Sequence, residues 1–293
     1  MPSRSLTQLR RPVARVPGRP GVLALLLRRP AGWISLALLV LLYGASFLGP
    51  LLDHHSATAT HPLHALLGPS WLHPLGTDDL GRDELLRMLY GGRVSLSVGL
   101  ISMVVALVAG LLVGGLAGYL RGAVETILMR LVDAFMAIPA FFLILAELAV
   151  FGSSPPVVIL VVGLSFWGQM ARVVFAESLK MRQREFIEAA QALGASRTRV
   201  FFRHLLPQVV PSAIVLGTLG VGWSILTEAA LSFLGLGIQP PLASWGNMLQ
   251  NAQVYVWTSP WLAIYPGLAI ALAVLAFNLL GNALRDVLDP RIR

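Results

Sequence analysis

Apolar residues are not scattered along this chain but gathered into six runs, at about 33–49, 94–120, 131–151, 157–174, 209–230 and 262–281. At ~1.5 Å per residue each run, taken as a helix, comes close to or exceeds the roughly 30 Å of a bilayer's hydrocarbon core. Backbone N–H and C=O groups have no water to bond there, so an isolated run must be helical. A membrane barrel would instead show segments of roughly ten residues alternating apolar and polar, and none is found. The pattern predicts an all-α integral membrane protein with about six transmembrane helices.

The polar stretches between the runs set the orientation. With the N-terminus inside, the inner segments carry 19 Lys and Arg, and the outer ones only three, Arg82, Arg87 and Arg93. Loop Lys and Arg favour the cytoplasmic face, so both termini are expected there. The expected division is a cytoplasmic basic tail (1–32), a first transmembrane helix (33–49), an external loop (50–92), a five-helix transmembrane domain (93–282) and a cytoplasmic C-terminal tail (283–293). The tail holds seven arginines and no acids, and reads as a disordered segment near anionic lipid. A cleaved signal peptide is the competing reading, but no small-x-small site ends the apolar run.

Composition sharpens this picture. Of 293 residues 56% are hydrophobic and 12% charged, and the mean hydropathy is +0.74. The net charge of +8 would suggest nucleic acid in a soluble protein, but its segregation into inner loops assigns it to topology. There is no cysteine, which removes disulfides, thiolate metal sites and a cysteine nucleophile. The outer stretch holds five of the six histidines, His54, His55, His61, His64 and His73. Imidazoles suit zinc, copper or nickel. Their spacing lacks a fixed ligand geometry, so a flexible loop without metal is the preferred reading.

The inner stretch 172–208 is too patterned for a connector. Residues 171–193 contain good helix formers with no Gly or Pro, Gly194 is placed for a left-handed cap, and Ser196 can cap a second helix to Leu206. Pro207 and Pro211 follow. The second helix is apolar through Val200, Phe201, Phe202 and Leu205, a face expected to rest on a cytoplasmic partner.

Within this stretch Glu188-Ala189-Ala190, Gly194 and Leu206-Pro207 resemble the E-A-A loop of the permeases of binding-protein-dependent ATP-binding cassette importers. Small Ala189, Ala190 and Gly194 permit close approach, and Glu188 offers a charged contact. His204 stands where an apolar residue is usual, and a histidine just before the Leu-Pro resembles the dipeptide and oligopeptide branch. So do His73-Pro-Leu-Gly-Thr-Asp-Asp-Leu-Gly-Arg-Asp83 with Tyr90-Gly-Gly-Arg-Val-Ser-Leu96, Leu231-Ser-Phe-Leu-Gly-Leu-Gly-Ile-Gln-Pro-Pro241 with Ser244-Trp245-Gly246, and Gly281-Asn-Ala-Leu-Arg-Asp-Val-Leu-Asp-Pro-Arg291. The resemblance covers the chain from about residue 73 onward and is to the second permease of such importers.

It implies a type I importer permease fold in which Glu188, Ala189, Ala190, Gly194, His204, Leu206 and Pro207 belong to an ATPase-coupling loop. It further implies a homologous second permease, two cytoplasmic ATPase subunits that bind ATP and Mg, an external substrate-binding protein, and a place in the cytoplasmic (inner) membrane. No cofactor or metal is expected in this chain, which is a transport subunit and not an enzyme. A phosphate-cradling loop requires a lysine after glycine, and the single lysine, Lys180, has no glycine nearby. Peptide is the expected substrate and nickel or a nickel chelate the alternative.

Three acids, Asp133, Glu147 and Glu228, lie in or beside apolar runs, where an ionisable group is costly. They are candidates for the substrate path or for interhelical bonding, the latter preferred. Gly110, Gly114, Gly115 and Gly118 suggest close helix packing. An intramembrane enzyme would need a catalytic constellation, and no H-E-x-x-H or G-x-S-x-G is present. A secondary transporter would not need the patterned inner loop, and no inverted repeat is apparent.

Overall fold

The computed structural model describes residues 21–52 and 57–288. Their helices, in chain order, are α1 (Val22–Leu27), α2 (Pro30–Leu52), α3 (Glu84–Leu120), α4 (Gly122–Met136), α5 (Ala140–Phe151), α6 (Pro155–Arg182), α7 (Glu185–Ala192), α8 (Arg197–Arg199), α9 (Leu206–Phe233), α10 (Trp245–Ala252) and α11 (Trp261–Leu288). Five stretches are long and apolar enough to cross a membrane, with α8 and α9 counted as one. A sixth crossing exists if α4 and α5, bent by 84° at the residues between them, count together. The run 131–151, expected as one straight span, is thus a broken one: Pro139 lacks the N–H to continue the ladder and caps α5. Large apolar side chains face outward on these helices, Val40 at 71% exposure and Trp223 at 66%, as a hydrocarbon solvent requires.

Sequence explains how the helices close on one another. α3 begins where the Asp83 carboxylate accepts the Leu86 N–H at 3.0 Å, a side-chain cap for an otherwise unpaired donor. It runs 37 residues and makes its most extensive pairing with α6. Gly110, Gly114 and Gly118 form the seam. A Cβ at Gly114 would overlap the Ala171 carbonyl oxygen, and one at Gly118 would stand 2.5 Å from the Ser178 Cβ. Such close approach is how helices gain packing energy where lipid is as apolar as the side chains. Ser102 adds a hydrogen bond across the pair to the Ile159 carbonyl at 2.9 Å. Gly115 faces elsewhere, toward Phe201 and Leu206.

Three apolar clusters order the bundle. One joins α3, α9, α10 and α11 around Leu96, Ile225, Trp245 and Phe277. Another joins α3, α6 and α9 to the inner loop around Tyr119, Val174, Ile187 and Phe201. The third joins α3, α5, α6 and α9 around Val98, Ile144, Val162 and Leu231.

Two expectations change. Part of the basic tail is folded: α1 sets Leu26 against Ala283 and Val287 of α11, and Arg29 pairs with Asp286 at 2.6 Å. Residues 1–20 and 289–293 lie outside the described residues. The outer stretch, expected to be flexible, is compact over 57–83. His61 N–H donates to the Leu80 carbonyl, Leu66 N–H to that of Asp78 and Thr77 N–H to that of Leu67, all within 3.0 Å. Beneath them the buried Asp78 carboxylate binds Arg82 at 2.6 Å and Arg87 at 3.2 Å.

The glycine seam yields a prediction. Gly114→Val should destabilise the protein by about 1–3 kcal/mol through overpacking, read as a lower Tm of the purified protein in detergent. An unchanged Tm would mean that α3 and α6 do not meet at Ala171.

Candidate functional site

The inner loop is built from α7, α8 and the start of α9. α6 stops at Arg182, two residues intervene, and α7 carries Glu188, Ala189 and Ala190. The expected continuous helix over 171–193 is therefore two helices. Gly194 ends α7 at φ +82°, with Ala195 N–H donating to the Ala190 carbonyl at 3.1 Å and Gly194 N–H to that of Gln191 at 2.9 Å. These bonds occupy carbonyls that a helix end otherwise leaves unpaired. The Ser196 hydroxyl accepts from Arg199 N–H at 3.3 Å and opens α8.

The chain then runs through Leu206 and Pro207 into α9 with no gap. Pro207 cannot donate to the carbonyl one turn back, and the preceding Val200–Leu205 wind as a π-helix, with Leu206 N–H donating to the Phe201 carbonyl. A widened turn of this kind absorbs a residue that does not fit the α ladder. Because the helix is continuous, its apolar face extends into the protein. Val200, Phe201 and Leu205 are buried against Tyr119, Val174 and Val209, with the Tyr119 and Phe201 rings 5.7 Å apart. The expectation that this face rests on a partner is thereby corrected, except at Phe202, which is 55% exposed. The bare surface belongs to α7. Ile187 pins that helix to the protein, whereas Phe186, Glu188, Ala189 and Leu193 face outward, Leu193 at 89%. Glu188, Ala190, Gly194, His204, Leu206 and Pro207 all lie in this one folded loop.

The three acids are held apart. Among the described residues no hydrogen bond or ion pair joins Asp133, Glu147 and Glu228 to one another. Asp133 on α4 pairs with Arg172 on α6, both about half exposed. Arg172 was assigned to the inner loop by the apolar-run boundaries. Its place on the face of α6 that carries Ser165 and Gln169, at i, i+4, i+7, is the signal that went unused. Glu147, half-buried on α5, has a buried Oε2 without a hydrogen-bond partner.

Glu228 is fully buried. Its two oxygens accept from the hydroxyls of Ser95 on α3 at 2.8 Å and Ser232 on α9 at 2.7 Å. Each serine oxygen in turn accepts a backbone N–H, that of Trp245 at 3.1 Å for Ser95 and of Ile238 at 3.0 Å for Ser232. A carboxyl thus ties α3, α9, α10 and the loop between them, and every member of the chain of bonds is satisfied. Ser244 and Asn247 cap α10 reciprocally. Ser95, Ser232 and Trp245 stand in the stretches that carry the family resemblance, but nothing in the sequence marked their meeting with Glu228.

At the outer histidines, the rings of His61, His64 and His73 follow one another at 6.1 and 6.2 Å, and His73 Nδ1 lies 2.8 Å from an Asp83 oxygen. Among the described residues no group of three or more His, Asp or Glu could hold a metal ion. His54 and His55 fall outside them.

The model of the binding-protein-dependent transport system inner membrane component family matches residues 110–293, which include α7, Gly194 and the Leu206-Pro207 step. The chain belongs to this family. Members are inner-membrane subunits of transport systems, and the multi-pass helical architecture agrees with that placement. The chain is 41% identical over 263 residues to the glutathione transport system permease protein GsiD of Pectobacterium atrosepticum, covering 90% of this chain and 86% of the relative. It is 39% identical over 267 residues to the dipeptide transport system permease protein DppC of Alkalihalophilus pseudofirmus, covering 88% and 87%. To GsiD of Escherichia coli O157:H7 it is 44% identical over 226 residues, covering 77% and 75%.

The Glu228 network can be tested in this family member. Glu228→Leu leaves two buried hydroxyls without an acceptor and should cost about 1–3 kcal/mol, against about 1 kcal/mol or less for Glu228→Gln, which keeps one oxygen. Thermal unfolding in detergent measures the difference, and equal losses would contradict it.

Proposed function

We propose that this chain is the permease subunit of an ATP-driven importer of peptides, one of two homologous permeases that together form the path, and that α7 is the element through which ATPase subunits drive it. The observation that carries the proposal is the inner loop. α7 is fastened to the bundle by Ile187 and by its left-handed cap, yet presents an apolar and acidic surface, Phe186, Leu193 and Glu188, that the other described residues leave exposed. Such a surface in water marks a protein contact. Because α7 and α9 share one cluster, a push on α7 is passed to a membrane-crossing helix, as a hinge or shear transition between two packings needs.

The relatives' names support peptides over nickel as the solute. ATP and Mg belong to the partner subunits, since this sequence has no phosphate-cradling loop. The excess of Lys and Arg on one side supports cytoplasmic termini and a cytoplasmic α7, and on this reading an external binding protein delivers the solute on the opposite face. The remaining domain assignments, a basic tail ahead of the first helix and a five-helix core after the outer loop, belong to the same reading.

The cap supplies the test. At φ +82° a β-branched residue is strained by about 1–3 kcal/mol, whereas asparagine adopts this region readily. Gly194→Val should therefore abolish ATP-dependent uptake of dialanine or glutathione while membrane insertion stays normal, and Gly194→Asn should retain most of it. Glu188→Lys, which reverses the charge offered to the ATPase, should also stop uptake. Normal uptake in Gly194→Val and Glu188→Lys would remove the coupling role.

A further inference from the structure

The break between α4 and α5 faces an open cavity of about 240 Å³, lined by Phe135, Met136, Ile138 and Pro139 on one side and by Ser165 and Gln169 of α6 on the other. Gln169 is 14 residues from the first residue of α6 and 13 from the last, so at ~1.5 Å per residue it lies some 20 Å from either end. It falls inside the apolar run 157–174, five residues from that run's inner end. The polar row continues one turn on, where Arg172 meets Asp133 across the gap to α4.

Three features of this face are incompatible with lipid. The backbone turns by 84° within an apolar run, and α5 starts without a side-chain cap for its first N–H groups. Irregular backbone at this depth is tolerated only against protein or water. Gln169, a polar residue, is exposed. The Arg172–Asp133 pair is about half exposed on both sides, and ionised groups within spans face a bundle interior or a water-filled cavity.

We propose that the α4–α5 break and the Ser165, Gln169, Arg172 row of α6 form this chain's wall of the permeation path, and that the Gln169 side chain contacts the passing solute. The inference rests on the importer reading and adds to it the residue in contact. A glutamine amide carries two donors and an acceptor, the complement of a peptide group's C=O and N–H, and it binds these whatever side chains flank them. Arg172 is neutralised by Asp133, so the row does not hold a carboxylate as tightly as a lone guanidinium would. Contacts that are weak and shared among solutes let a substrate leave as well as enter.

The chain has no cysteine, so labelling read on this subunit, against the complex with the unsubstituted chain, reports the introduced residue. The complete complex, with its ATPase subunits and binding protein, is reconstituted in liposomes carrying Gln169→Cys, Ala137→Cys or, as a lipid-facing control, Val40→Cys. A charged, water-soluble methanethiosulfonate should modify the first two at least about tenfold faster than the third, because apolar surroundings suppress the reactive thiolate. Modification at residue 169 should block ATP-dependent uptake of dialanine and glutathione. Gln169→Leu should raise the KM for both, by roughly three- to tenfold for one lost hydrogen bond.

If the complex with the unsubstituted chain transports but Gln169→Cys reacts no faster than Val40→Cys, the face is sealed by lipid or by the second permease, and the path assignment falls while the importer reading stands. Rapid labelling without loss of uptake overturns the contact with solute. A complex with the unsubstituted chain that neither hydrolyses ATP nor transports takes down both readings.

Discussion

Everything in this structure follows from the requirement that a peptide bond in hydrocarbon keep its N–H and C=O paired. The chain meets it with long helices, and since lipid gives helices no hydrophobic reason to associate, their contacts fall to small residues and buried hydrogen bonds. Gly110, Gly114 and Gly118 let α3 lie directly on the backbone of α6. Ser102 bonds across the same pair. Where the outer loop turns into α10, the Glu228 carboxyl gathers hydroxyls from two helices and, through them, two backbone N–H groups. Where the ladder breaks between α4 and α5, at Pro139, the structure opens on a cavity.

The same rule governs the inner loop, where the chain leaves the membrane. There backbone groups can bond water, and α7 ends in an ordinary left-handed glycine cap. What distinguishes the loop is its attachment. Ile187 of α7, Phe201 of the π-helical turn and Val209 of α9 lie in one buried cluster with Tyr119 and Val174. Packed side chains thus join α7 to α3, α6 and α9. On the proposed function, this attachment is what would pass motion from a soluble partner to the membrane helices.

How much of this was legible in the sequence varied with the range of the interaction. Local signals read true: the Gly194 cap and the Ser196 cap are decided by residues within a turn or two, and the glycine spacing of α3 foretold close packing. Interactions between distant segments did not read. The face of Val200, Phe201 and Leu205 was assigned to a partner because the period of a short helix shows that a face is apolar without showing what covers it. Glu228 stood out as a costly residue, but its donors Ser95 and Ser232 did not, because a serine in an apolar run carries no mark of which helix it meets. The lack of a fixed ligand spacing among the histidines led to a flexible outer loop, whereas the buried Asp78 carboxylate, bound to Arg82 and Arg87, orders it.

The central claim, a permease moved by ATPase subunits through α7, is tested most directly by affinity purification of the tagged chain from membranes in mild detergent. Mass spectrometry of the recovered proteins and an ATPase assay of the whole follow. The account predicts recovery of a second permease and one or two ATPase subunits, with ATP hydrolysis raised by a peptide-loaded binding protein. Recovery of this chain alone, even after crosslinking in cells, and without ATP hydrolysis, would contradict it.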